Sequence, residues 1–472
     1  MSQTLKTTMD ASPPFAPVGR AAEGNSLARL TATEYLDMLT SRQISVAEYI
    51  QACADVIDQL EPKLHAWAWY DRTRLERLAR TADDELCHYR DAGNVGLPGR
   101  IFGLPVGVKD IFNTEDMPTS HGSGLFAGYN PGNDARVVTN LRRESGLMAG
   151  KTVTAEFAVH TPNGTRNPHD TRRSSGTSSS GSAVAVATAM VPVALASQTA
   201  GSIIRPASYC GVVGFKPSYG TIPRTAMLKT TDTLDSVGFM SRSVPDLELI
   251  FDLLRVKGLN YPVIDAAMSD PARLKDSAKP WRIGVLEGPK SHLVAPAVRQ
   301  AFDALASRLE GAGCEMRKFK LPSAFDAAHD IHETIYRRSL CYYFRMEWES
   351  GQHSFSPGLA DMIEGGTHID MPAYEAALSG QTELARQYDS IVSDFDAVIC
   401  PSTADEAPLG LDAPDIPDHC LIFTMCYAPS VSLPLLRGST GLPVGLQLAS
   451  RRFNDIKLLG FADFVSRVIV QG

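Results

Sequence analysis

The chain has no CxxC pair. Its eight cysteines (Cys53, Cys87, Cys210, Cys314, Cys341, Cys400, Cys420 and Cys426) are scattered over 472 residues. That spacing disfavours a thiol redox motif or a disulfide scaffold and fits free thiols in a reducing cytoplasm, the expected location. No apolar run reaches the length of a membrane span, because each candidate is broken by Gly, Pro or charge. The Thr/Ser/Pro/Ala-rich stretch 1–25 has no apolar h-region, so no secretory leader is expected there. Positive charge is in deficit, 45 Lys and Arg against 53 Asp and Glu, which disfavours nucleic acid or an anionic membrane as partner. The eleven histidines are dispersed. His332-Glu333 opens like a zinc-protease helix, but position 336 is Tyr, so His329 and His332 read as a partly exposed structural pair. Neither a metal nor a cofactor is expected.

What is present is an ordinary globular composition, 44% apolar and 21% charged. Residues 1–26 read as a flexible arm and 27–472 as one large unit. Helical spacing of apolar residues runs from Thr31 to Arg90 (Tyr35, Leu36, Leu39; Tyr49, Ile50, Cys53, Val56, Ile57, Leu60). Phe102 to Asp110 reads as a buried strand ending at Lys109, Val137 to Leu147 as a helix, and Leu147 to Thr152 as a strand. Ser182 to Met190 reads as a small-residue helix and Val191 to Ala196 as a strand. Tyr261 to Pro280 reads as a connector. Strand Trp281–Leu286, helix Ala297–Leu309 and strand Glu315–Leu321 follow. The segment 325–395 is helical and aromatic. Asp396–Cys400 and Val444–Leu448 close the set of strands, and Asn454–Val470 is the last helix. This alternation predicts an α/β layer architecture.

The most informative segment is Ser174-Ser175-Gly176-Thr177-Ser178-Ser179-Ser180-Gly181-Ser182. A flexible linker is also rich in Ser and Gly, but it does not run directly into an apolar segment such as Ala183 to Ala189. The serines therefore sit at the edge of a core. A nucleophilic serine needs a base. The G-x-S-x-G elbow is absent, and no serine stands three residues before any lysine, which excludes S-x-x-K. A lysine from elsewhere in the chain remains, and Lys109 is the best placed. Its local sequence is equally compatible with a surface lysine.

A resemblance decides between these. Gly176-Thr177-Ser178-Ser179-Ser180-Gly181-Ser182-Ala183, then Gln198-Thr199-Ala200-Gly201-Ser202-Ile203, then Cys210-Gly211-Val212-Val213-Gly214-Phe215-Lys216-Pro217 resemble the signature of the amidase signature family. Gly103 to Asp110, Thr165 to Pro168 and Gly441 to Leu448 resemble its outlying motifs, in the family's order. The resemblance implies one large fold with a central mixed twisted β-sheet covered by helices on both faces. Its core motif region would span about 96–260, with a variable substrate-side helical segment at about 325–395.

It further implies a Ser-cisSer-Lys triad: Ser202 as nucleophile, Ser178 as relay after a cis Thr177–Ser178 bond, and Lys109 as base. Backbone N–H groups of Thr199, Ala200, Gly201 and Ser202 would form the oxyanion hole. The implied reaction is hydrolysis of a linear amide, an aryl acylamide or a carbamate through an acyl-enzyme. The alternative is a glutaminase like the A subunit of an amidotransferase, working in a heteromeric complex. Phe126, Tyr129, Met425 and Tyr427 are the expected pocket residues. The expected partner is a small-molecule amide or carbamate, and the expected assembly a monomer or homodimer. Gln198 stands where the family has Asp, and Ile204 where it has Arg.

Overall fold

The computed structural model describes residues 26–259, 261–270, 279–351 and 354–471. The N-terminal arm expected at 1–26 lies almost wholly outside them. Among the described residues are fifteen α-helices and one sheet of eleven strands. In chain order the strands are β1 (Trp67–Tyr70), β2 (Pro105–Lys109), β3 (Leu147–Thr152), β4 (Val193–Gln198), β5 (Val213–Lys216) and β6 (Ser236–Ser241). They continue with β7 (Arg282–Glu287), β8 (Glu315–Lys320), β9 (Ala397–Pro401), β10 (Ser430–Arg437) and β11 (Pro443–Ala449).

The spatial order is β1-β3-β2-β4-β6-β5-β10-β11-β9-β7-β8. The sheet is mixed. β2 runs parallel to both β3 and β4, and β7 runs parallel to both β8 and β9. The remaining pairs, from β4–β6 to β11–β9, are antiparallel, as is β1–β3 at the edge. Every residue of β2, β4, β5, β6, β9 and β11 is buried, so both faces of the sheet's centre are covered. This explains why these strands read as continuous apolar or small-residue runs rather than alternating ones. The edge strand β8 is the reverse: Glu-Met-Arg-Lys-Phe-Lys, largely exposed, with charge along an edge that would otherwise invite pairing.

Helix starts follow local chemistry. Thr31 and Ser45 each close a capping box with Glu34 and Glu48, satisfying N–H groups that the first helical turn leaves unpaired. The small-residue helix Ser180–Ala187 is buried along its whole length. Its Gly181 admits no side chain, since a Cβ there would lie 2.3 Å from the amide nitrogen of Val153 and from the carbonyl of Ala66. This close approach sets the serine loop against the end of β3.

Candidate active site

β2 and β4 are parallel neighbours, with Val108 opposite Leu195. Their carboxyl ends therefore deliver Lys109 and Ser197 to the same place, the usual location for chemistry in such sheets. Lys109 is fully buried. Its Nζ lies within hydrogen-bond distance of Ser178 Oγ at 2.8 Å, Ser179 Oγ at 2.9 Å and Ser197 Oγ at 2.8 Å. Ser178 comes from the serine loop, and the Thr177–Ser178 peptide bond is cis. Burial holds the Lys109 amine well below the ordinary lysine range, opposed by the negative charge of Asp235.

The adjacent carboxylate does not disturb this arrangement. Successive strand residues face opposite sides, and Asp110 pairs with Lys151 at 3.0 Å and receives the Ser120 amide at 3.1 Å. Ser179 donates to the Ser197 carbonyl at 3.1 Å, so toward Lys109 it acts only as an acceptor. Ser182 bonds Thr152 Oγ1 and the Leu195 carbonyl, a structural role.

Ser202 is half-buried in the turn between β4 and the helix Ile204–Cys210. Five distant residues support this turn. Gln198 Oε1 accepts from the amides of Ile203 at 2.8 Å and Ile204 at 3.0 Å, and its Nε2 donates to Thr424 Oγ1 at 2.9 Å. The carboxamide thus supplies the acceptor at the helix start without a charge. Thr424 Oγ1 donates to the Ala200 carbonyl at 2.8 Å. Thr199 Oγ1 donates to Asp235 at 2.8 Å, and Asp235 also gathers the amides of Thr230 and Thr231. Arg205 is tied to Asp415 at 2.6 Å and to Asp418 at 2.9 Å.

His332 completes the set. It is buried rather than partly exposed, with Nε2 3.0 Å from the Thr199 carbonyl. The helix Ala328–Tyr343 buries Ala328, His332, Ile335, Tyr336 and Ser339, a helical stripe that places the imidazole inward. His329, three residues earlier, is half-buried, and no cluster of metal-binding side chains occurs among the described residues.

A cavity of about 440 Å³ opens beside this turn, lined in part by Thr177, Ala200, Arg205, His332, Asp415 and Leu421. None of the four residues expected to shape a pocket is among those lining this cavity. Met425 is fully buried in the core formed with Leu384, Phe423 and Cys426. Tyr427 packs on Tyr219 with ring centroids 5.2 Å apart and carries the Arg452 guanidinium on its face. Phe126 sits 5.9 Å from Phe157 in a separate aromatic cluster, and Tyr129 beside it is 42% exposed.

Comparison with known proteins gives the family. The family model described as Amidase matches residues 48–459. The chain belongs to the amidase signature family. An amidase-signature enzyme acts on carbon–nitrogen bonds. Among curated relatives, the A chain of the glutamyl-tRNA(Gln) amidotransferase from Chloroflexus aggregans is 30% identical, over 93% of this chain and 96% of its own length. Among solved structures, an amidase superposes with a TM-score of 0.82 at 25% identity, covering 93% of this chain and 99% of that one. The native peptide amidase of Stenotrophomonas maltophilia gives 0.79 at 25% identity, with coverage of 93% and 97%.

Proposed function

We propose that this protein hydrolyses a linear amide through an acyl-enzyme on Ser202, with Ser178 as proton relay and Lys109 as base. The observation that carries the reading is Lys109, a wholly buried lysine whose Nζ contacts three serine hydroxyls, with its neighbour Asp110 committed to Lys151. A neutral amine has two N–H donors and one lone pair. Serine hydroxyls both donate and accept, so Ser178 satisfies either protonation state of the amine.

As Ser202 Oγ attacks the amide carbon, its proton passes to Ser178 Oγ while the Ser178 proton passes to Lys109. The oxyanion is held by amides of the turn Thr199 to Ser202. When the tetrahedral intermediate collapses, Ser178 protonates the leaving nitrogen and recovers a proton from Lys109. Water then attacks the ester by the same relay and releases the acid. Hydrogen bonds from a preorganised oxyanion hole supply the largest part of such a barrier reduction.

Aryl acylamides are the first substrates to test, since a weakly basic aniline departs most readily, and carbamates follow. A glutaminase like the A chain of an amidotransferase is the second reading, favoured by the names and near full-length coverage of the curated relatives. Against it stands the chemistry of the cavity. The guanidinium lining it, Arg205, is engaged by two aspartates and so is not free to pair with an α-carboxylate. Turnover of a panel containing an anilide, a carbamate, a peptide amide and glutamine, with size exclusion of the purified protein, separates the readings. Hydrolysis of a non-glutamine member by the isolated chain is expected. Turnover of glutamine alone, and only with partner chains, would favour the second.

A further inference from the structure

We propose that His332, together with Thr424, is a positioning residue that aims the amide groups of the turn before Ser202 at the developing oxyanion. The inference rests on the Ser202 reading above. In a trans peptide the carbonyl and the following N–H point in opposite directions, and Thr177–Ser178 is the one cis bond among the described residues. The Thr199 carbonyl accepts from His332 Nε2 at 3.0 Å, so the Ala200 N–H points away from His332. The Ala200 carbonyl accepts from Thr424 Oγ1 at 2.8 Å, so the Gly201 N–H points away from Thr424. Among the described residues neither amide donates to a backbone or side-chain acceptor. Two adjacent donors are thus left open in a turn whose Thr199, Ala200 and Gly201 carbonyls are all held, at the wall of the cavity that Ala200 lines.

Both clamps have their direction fixed. Burial pushes the His332 imidazole down to about 4, so at neutral pH it carries one proton. A carbonyl accepts only, which places that proton on Nε2. Thr424 Oγ1 accepts from Gln198 Nε2 at 2.9 Å, and of the two carbonyls within reach of its own hydrogen, Ala200 at 2.8 Å is nearer than Cys420 at 3.2 Å. Gln198 therefore acts twice, orienting Thr424 and holding the amides after Ser202.

The test compares His332→Ala, His332→Gln, Thr424→Val and Ser202→Ala by steady-state kinetics on one hydrolysed amide, with thermal unfolding as a control for folding. Donors aligned only with the transition state affect kcat rather than KM. His332→Ala is expected to lower kcat about 10²-fold, the scale of an ångström misplacement at a catalytic group, with KM little changed. His332→Gln keeps an N–H near the Nε2 position and is expected to recover most of that loss. Thr424→Val, similar in shape but without the hydroxyl, tests the second clamp even if His332→Ala does not fold. Equal kinetics for His332→Ala and His332→Gln, or losses confined to KM, would overturn the proposal. Wild-type turnover by Ser202→Ala would instead overturn the underlying reading.

Discussion

Lys109 Nζ and Ser178 Oγ lie 2.8 Å apart, both buried, at the meeting point of β2 and the serine loop. Only the neutral amine accepts a proton, and burial favours the neutral form. Lowering the pH through the folded-state pKa of Lys109 therefore removes activity. A kcat/KM profile should rise with pH and level off below the range of an ordinary lysine. Lys109→Met is expected to cost about 10²–10⁴-fold, the contribution of a positioned base, and to leave residual activity that climbs with hydroxide.

The same shift has a consequence for stability. The folded-state pKa of Lys109 is lowered, so between it and the unfolded value the unfolded chain binds more protons. Stability then rises with pH through that window. Buried Lys216 and Lys151, also held below the ordinary lysine range, add slope of the same sign, so urea unfolding at a series of pH values should show a slope that Lys109→Met reduces.

Asp110 serves Lys151, not the base. Asp110→Asn leaves a buried ammonium without its counter-charge, a loss of roughly 3–5 kcal/mol for a broken buried pair. Calorimetry should show the destabilisation. The acid limb of the kcat/KM profile should stay where it is in wild type.

Much of this site is legible in the sequence because it is built from local runs. The strand Leu147–Thr152 matches its expected bounds, and the segment ending at Lys109 is the strand β2. Four strands escape such a reading for identifiable reasons. β10 contains Pro434, a strand breaker, which the fold accommodates where the register slips between Leu433 and Leu436. β6 has Gly238 at its centre, where a Cβ would stand 2.2 Å from the Phe215 carbonyl. β1 and β5 have four residues each, too few to show a period. Part of the expected connector 261–280 is the short helix Pro262–Ser269, which begins at the proline that suggested a break.

The clamps were hidden differently. His332, Asp235 and Thr424 reach the Ser202 turn across separations of more than thirty residues. No spacing within one segment encodes that meeting. The signal the sequence does carry is helical spacing, since His332 stands one turn before the apolar pair Ile335 and Tyr336 and shares their buried face.

Gln198 is where the chain departs from the family's aspartate, and Ile204 is where it lacks the arginine. The uncharged carboxamide accepts from the Ile203 and Ile204 amides. Gln198→Ala leaves those two buried amides unpaired, about 1–3 kcal/mol for each group. Denaturant titration should show the loss in its midpoint.

The assignment of Ser202 as the attacking hydroxyl is tested most directly by covalent capture. The protein is treated with a sulfonyl fluoride and the adduct located by peptide mass spectrometry. One adduct on Ser202 is expected, with Ser178 unmodified and no labelling of Ser202→Ala. An adduct on Ser178 or another residue, or labelling that persists in Ser202→Ala, would contradict it.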